Sequence, residues 1–308
     1  MLFVIEFYQL CRAMQLIPQN KWLYLFLLSL IWGSSYILIK RGLVGLTPIQ
    51  LGSVRIIFST IFLLFMGYKS LNGLSKKEWK WLVITGFLGT FFPSFFFAFA
   101  QQYIDSAVAA ILNSLTPIFT LLVGVAFFAS KILTRQYAGV LLGFIGSVGL
   151  IWGGSQIAEN QPTEYVLLII CASMCYAVNI YFLKHKLANV SPMAMTLGNF
   201  IAILPPAVVL LLFSDFFSMQ QLQSNKVLSS LGFVALLAFF GTAIAKVMFN
   251  RFVKMASAVF VSSVTYTLPI VALFWGMLDG ERIGGFQLLA TAIILIGVSL
   301  SNRPAKAK

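Results

Sequence analysis

Two cations and a small set of hydrogen-bonding side chains are what this chain offers to chemistry, because nearly everything around them is apolar. Arg55 and Lys246 lie inside long hydrophobic stretches rather than in the polar segments between them. A cation in such a stretch costs at least about 2.5–3.5 kcal/mol on insertion scales, so each calls for a partner, and a substrate carboxylate or phosphate is one candidate. Snorkelling for Lys246 and backbone carbonyls for Arg55 are the alternatives. Asn113, Ser114 and Thr116 precede Pro117, while Ser262, Ser263, Thr265 and Tyr266 precede Pro269. Trp32, Ser35 and Tyr36 sit in the first apolar stretch, Tyr176 and Asn179 in the sixth. Groups of this kind face a bundle interior, where they line a cavity or join helices. Together they can hold and orient a small polar or anionic solute.

They cannot do acid–base chemistry. The one histidine, His185, stands between Lys184 and Lys186, a setting at headgroup level. Glu6, Glu78, Asp105, Glu159, Glu164, Asp215, Asp279 and Glu281 all fall between the apolar stretches or at their ends. With no nucleophile–base pair an intramembrane enzyme has no catalytic set, and no catalytic residue is assigned. Cys171 and Cys175 share a helical face but have no second pair to complete a metal site. No metal or cofactor is expected. A mid-membrane carboxylate, the usual mark of proton or sodium coupling, is missing, which favours uncoupled or exchange transport.

The elements that position these residues follow from composition. Of 308 residues 60% are hydrophobic and 9% charged, against roughly 25% charged in soluble domains. Apolar runs of about twenty residues match a hydrocarbon core of roughly 30 Å, and they are continuous rather than alternating, so they are helices and not barrel strands. The expected fold is an all-α integral membrane protein with ten transmembrane helices. They span about 22–42, 48–68, 79–103, 106–128, 135–154, 164–186, 191–213, 228–252, 257–279 and 284–302, several opening on turn chemistry such as Thr47-Pro48 and Ser191-Pro192.

The chain also reads as one unit written twice. Pro117 set over Pro269 carries Gly89-Thr90 onto Gly241-Thr242 without a gap, and Pro48 set over Pro192 pairs Trp32 with Tyr176, Lys40 with Lys184 and Arg55 with Asn199. Five spans per copy is odd, so the second copy is inverted relative to the first. The expected organisation is an interfacial or disordered leader over 1–20, a first five-helix repeat over 21–155, a second, inverted repeat over 156–303 and a cytoplasmic tail over 304–308. Pro117 and Pro269 near mid-span each remove a backbone donor and are expected to kink their helices, and kinks at matching places in both halves point to a transport pathway.

With the N-terminus inside, fifteen of the 21 Lys and Arg residues fall on the inner side and only Lys40, Arg41, Lys226 and Arg282 on the outer. The positive-inside rule then places both termini in the cytoplasm. The net charge of +13 is spread over these short segments, which assigns it to lipid headgroups and topology, not nucleic acid. The first residues, MLFVIEFYQLCRAMQLIPQN, lack the arrangement of a cleavable signal, and Met14 would serve equally as a start. Expected partners are a small-molecule substrate and membrane lipid.

Trp32-Gly33-Ser34-Ser35 with Lys40 closing the first span, Arg55 in the second, Asn113-x-x-x-Pro117 in the fourth and Gly280-Glu281-Arg282 before the last resemble the EamA-type branch of the drug/metabolite transporter superfamily over about residues 20–302. The resemblance implies a carrier of small metabolites, often an exporter of amino acids or related compounds. It implies a central cavity formed chiefly by spans 1, 3, 4, 6, 8 and 9, with Arg55 beside it. The chain departs from an even repeat at Ser130-Lys131, which meets Glu281-Arg282, and at Tyr176-Ala177, which meets Trp32-Gly33.

The resulting expectation is an inner-membrane carrier for a small organic solute working by alternating access, with Trp32, Ser35, Tyr36, Arg55, Asn113, Tyr176, Asn179, Lys246, Thr265 and Tyr266 at its site. A translocase for a lipid-linked sugar or headgroup is the alternative. The phenylalanines of span 3 (Phe91, Phe92, Phe95, Phe96, Phe97, Phe99) either give the cavity an aromatic character or face lipid. Gly139, Gly143, Gly146 and Gly153 share a helical face suited to close packing in the scaffold, or to a homodimer seam.

Overall fold

The computed structural model describes residues 20–104, 106–130, 133–152, 163–218, 224–278 and 285–302, all helix and connecting turn with no strand among them. The leader, the joint over 153–162, Asp279, the Gly280-Glu281-Arg282 turn and the tail lie outside the described residues. The helices are α1 Lys21–Gly42, α2 Pro48–Gly67, α3 Lys76–Ala100, α4 Ser106–Asn113, α5 Thr116–Phe128, α6 Thr134–Trp152, α7 Thr163–Lys186, α8 Pro192–Leu212, α9 Asn225–Met255, α10 Ala258–Ser262, α11 Val264–Leu278 and α12 Gly285–Asn302. Six of these, α1, α2, α3, α7, α8 and α9, are long and apolar enough to cross a membrane, and shorter apolar helices accompany them.

Local chemistry fixes the starts. Thr47 and Gln50 form a capping box around Pro48, which needs no amide partner at the first helical position. Ser75 and Glu78 do the same for α3, and Ser191 accepts from the Ala194 amide ahead of α8.

Two departures from regular helix matter for the site. In α3 and α9 the ladder passes through π turns at Phe87–Phe91 and Leu237–Ile244. These hold Gly89-Thr90 and Gly241-Thr242, the aligned pairs of the two copies. A π turn shifts the hydrogen-bond register and leaves carbonyls open to other donors. Accordingly Gly89 O accepts from Lys246 Nζ and Gly241 O accepts from Trp32 Nε1 at 3.0 Å.

The second departure lies ahead of the two prolines expected to kink their helices. The chain breaks at Ser114-Leu115, between α4 and α5, and at Ser263, between α10 and α11. Pro117 sits in the first turn of α5, where its missing N–H costs nothing, and Pro269 lies within α11. The carbonyls that the two prolines cannot serve, four residues back, are those of Asn113 and Thr265. Thr116 Oγ1 donates to Asn113 O at 2.7 Å, while Ser114 Oγ donates to Ala110 O at 3.0 Å and lies 3.3 Å from Thr265 O. That approach brings the two breaks together across the halves of the chain.

Helices pack reciprocally. α1 packs on α9 and α11 while α7, its counterpart, packs on α3 and α5; α2 meets α8, and α6 meets α12. In the last pair a Cβ on Gly139 would lie 2.6 Å from Gly297 O and one on Gly146 2.9 Å from Ala290 O, so only glycine admits this approach. The glycine face is used inside the chain. The largest buried cluster surrounds the first turns of α1 and the last turns of α7 and α9, with Tyr24, Tyr181, Phe252 and Phe260 among its members.

Candidate substrate-binding cavity

Between these helices lies a cavity of about 90 Å³. α1 contributes Trp32, Ser35, Tyr36 and Ile39 along one stripe, α2 contributes Arg55, and α3 contributes Phe97. Asn113 and Thr116 come from the two sides of the first break, Ser262, Val264, Thr265 and Leu268 from the second. α7 adds Tyr176 and Ile180, and α9 adds Lys246 and Phe249.

Charge dominates the wall. Arg55 Nε donates to Thr242 Oγ1 at 2.8 Å, which orients the guanidinium while its two terminal nitrogens have no protein partner among the described residues. Lys246 reaches across to Gly89 O, with its Nζ 5.5 Å from the Tyr176 ring centre and 5.9 Å from that of Phe249. No described lining residue is acidic. The guanidinium fork suits a planar carboxylate or a phosphate bidentately.

Neutral groups complete the surface. Asn113 Nδ2 donates to Tyr36 Oη at 3.1 Å, so the Tyr36 hydroxyl keeps its own proton for another acceptor. Ser35 Oγ donates to Ile31 O, Ser262 Oγ to Val259 O and Thr265 Oγ1 to Ser262 O, which leaves oxygen lone pairs toward the space. Trp32 is held by its bond to Gly241 O and packs on Phe249, with ring centres 5.3 Å apart.

Eight of the ten residues singled out from the sequence line this one cavity: Trp32, Ser35, Tyr36, Arg55, Asn113, Tyr176, Lys246 and Thr265. Arg55 therefore belongs to the wall and not beside it, and Lys246 does not snorkel to the boundary. The other two do not line it. Asn179 is turned toward the α3 π turn, where a Cβ on Gly89 would lie 2.5 Å from its amide nitrogen, and its Oδ1 is buried without a partner. Tyr266, one residue past Thr265, is rotated to α6, donates to Val140 O at 2.7 Å and covers Gly143. Of the span 3 phenylalanines only Phe97 lines the cavity; Phe95 is buried against Gly52 and Phe92 is exposed. His185 is exposed and stacks on Phe128 at 5.3 Å.

Sequence reasoning passed over Ile39, Ile180, Phe249, Val264 and Leu268, and left Thr116 and Ser262 between lining a cavity and joining helices. Helical spacing was the available signal. Ile39, Ile180 and Phe249 fall three or four residues beyond Tyr36, Tyr176 and Lys246, on the same faces.

Comparison with known proteins agrees with this architecture. A model of the EamA-like transporter family matches the chain twice, over residues 20–152 and 163–303. The chain is 27% identical over 281 residues to the uncharacterized inner membrane transporter YedA of Escherichia coli K12, covering 90% of this chain and 88% of that protein. It is 25% identical over 293 residues to an uncharacterized transporter of Archaeoglobus fulgidus, 92% and 99% covered, and 23% identical over 288 residues to a probable amino-acid metabolite efflux pump of E. coli K12, 89% and 92% covered. One crystal structure superposes with a TM-score of 0.71 at 18% identity over 91% of this chain and 95% of that one, a likeness of fold alone. Twofold matching over most of its length shows that the chain belongs to the EamA-like transporter family.

Proposed function

We propose that the protein is an inner-membrane carrier that exports a small carboxylate-bearing metabolite, an amino acid or a related organic acid, by alternating access. The observation that carries this reading is the Arg55 guanidinium, oriented by Thr242 with its terminal nitrogens without a partner among the described residues, in a cavity that Lys246 shares. A buried, unpaired cation is costly unless a ligand completes it. Ten spans in two inverted repeats, with both termini cytoplasmic, form the frame of the reading. The reciprocal packing of α1 and α7 and the fifteen-to-four bias of basic residues support it. The names of the relatives in E. coli, an inner membrane transporter and an efflux pump, agree with the location and direction.

The test is a thermal-shift screen of the purified chain in detergent against organic acids, amino acids, sugars, nucleosides and polyamines, followed by flux in proteoliposomes. A ligand at one hundred times its dissociation constant raises stability by about 2.7 kcal/mol. Hits confined to carboxylate-bearing solutes, lost in Arg55→Gln and weakened in Asn113→Ala, support the reading. Hits among neutral or cationic solutes overturn it, and silence across soluble ligands favours a lipid-linked sugar or headgroup as cargo.

A further inference from the structure

We propose that the carried solute is a small organic dianion bearing no cationic group, a narrower class that rests on the carboxylate carrier proposed above. The cavity wall presents two basic side chains from two helices, and among the described residues each is held by neutral groups. Arg55 is oriented by the Thr242 hydroxyl, and Lys246 by the Gly89 carbonyl and two aromatic rings. A monoanion compensates one of the two charges and leaves the other buried and unpaired. A dianion compensates both, in surroundings where a full charge interacts several times more strongly than in water.

The acceptors argue against a zwitterion. An ammonium group needs a carboxylate or free carbonyls. The carbonyl freed ahead of Pro117 receives Thr116 Oγ1, which also lies 3.2 Å from the Asn113 side-chain oxygen, and the Gly241 carbonyl receives Trp32. The carbonyl of Thr265 has the Ser114 hydroxyl at 3.3 Å, shared with Ala110 O at 3.0 Å. What the described lining leaves to an ammonium is neutral hydroxyl oxygen, in a space already holding two like charges. Unspent donors, by contrast, are plentiful: the terminal nitrogens of Arg55, the remaining protons of Lys246 and the Tyr36 hydroxyl.

Matched ligands test this on the full chain in detergent at about pH 8, where a phosphate monoester carries nearly two charges. Glutarate and glutamate differ only by an α-ammonium, as do 4-methylpentanoate and leucine; glycerol 3-phosphate supplies a dianion without a second carboxylate. Glutarate is expected to bind about tenfold or more tightly than either glutamate or 4-methylpentanoate, the scale of one charge-assisted hydrogen bond. Glycerol 3-phosphate showing the same advantage extends the class to phosphate esters, and both results support the proposal. Lys246→Met, checked for a monodisperse elution profile, is expected to bring glutarate and 4-methylpentanoate to similar affinity. If the amino acids bind as well as their ammonium-free partners, the dianion proposal is overturned while the carboxylate carrier stands. If no carboxylate binds, both are.

Discussion

Arg55 on α2 and Asn199 on α8 occupy the same aligned position in the two halves and meet opposite surroundings. Arg55 faces the cavity with most of its donors free. Asn199 is buried, its amide nitrogen sharing its two protons among Thr85 Oγ1 and Leu82 O of α3 and Met195 O of its own helix, at 3.0 Å each. The Thr85 hydroxyl proton is spent on Trp81 O, which assigns nitrogen to that side of the amide. Lys246 and its counterpart Ser94 divide in the same way, one a cation on the wall and the other a small buried residue of α3. What the halves share is backbone: the π turns at Gly89 and Gly241, the breaks ahead of Pro117 and Pro269, and the glycine contact of α6 with α12. What they do not share is charge. Each half supplies one cation, and the two meet only because α2 and α9 converge on one cavity. A repeated scaffold can in this way carry a cavity wall that is asymmetric in charge.

The shared scaffold should be the least tolerant of change. A Cβ on Gly297 would lie 2.5 Å from Gly143 N and 2.7 Å from Gly139 O, backbone atoms that cannot swing aside. Gly297→Leu is therefore expected to abolish recovery of folded protein, read as loss of the monodisperse peak on size-exclusion chromatography. Gly232→Ala makes the contrast, since a Cβ there meets nothing within 4 Å, and exchange for alanine in a helix should stabilise by about 0.5–1 kcal/mol. A tolerated Gly297→Leu would mean that α6 and α12 are not the rigid part.

The aligned pair comes next. Arg55→Gln should weaken binding of a carboxylate ligand by about tenfold or more, with the unliganded melting temperature unchanged or raised, because it removes an uncompensated buried charge. Asn199→Ala should do the reverse. The amide's hydrogen bonds are lost and the protein is destabilised by about 1–3 kcal/mol, while the molecules that remain folded bind ligand as before. Similar behaviour of the two variants in thermal melts and in ligand titrations would erase the distinction between the halves.

How much of this could be read beforehand follows the same division. Helix positions were legible because a twenty-residue apolar run between turn residues has few alternatives in a bilayer, and the Pro48 and Pro192 starts carry their own caps. Arg55 and Lys246 were legible because a charge in such a run needs a reason. The π turns were not, since nothing in Gly89-Thr90 distinguishes an α from a π register. Those turns decide which carbonyls stay open, and so why Lys246 and Trp32 point where they do. Asn179 and Tyr266 were misassigned for a related reason: polarity says that a residue avoids lipid, and about 100° of rotation per residue decides whether it meets a cavity or a neighbouring helix. The breaks lie ahead of the prolines because a proline disturbs the turn before it.

The smallest effect separates Lys184 from Lys40, the cations that close the first helix of each half. Lys184 Nζ donates to Val253 O at 2.9 Å and Ala256 O at 2.5 Å, capping the C-terminal end of α9, where carbonyls lack helical partners and the helix dipole favours a cation. Lys40 is exposed in the last turn of α1. Lys184→Met should lower stability by about 1–3 kcal/mol, since two carbonyls at a half-buried position lose a charged donor. Lys40→Met should stay within about 0.5 kcal/mol. Lys184→Arg keeps the charge and donors, so a partial recovery of the melting temperature separates capping from mere packing of the aliphatic stem. Equal losses at Lys40 and Lys184 would mean that both ends are capped alike, and that the asymmetry of the two halves is confined to the cavity itself.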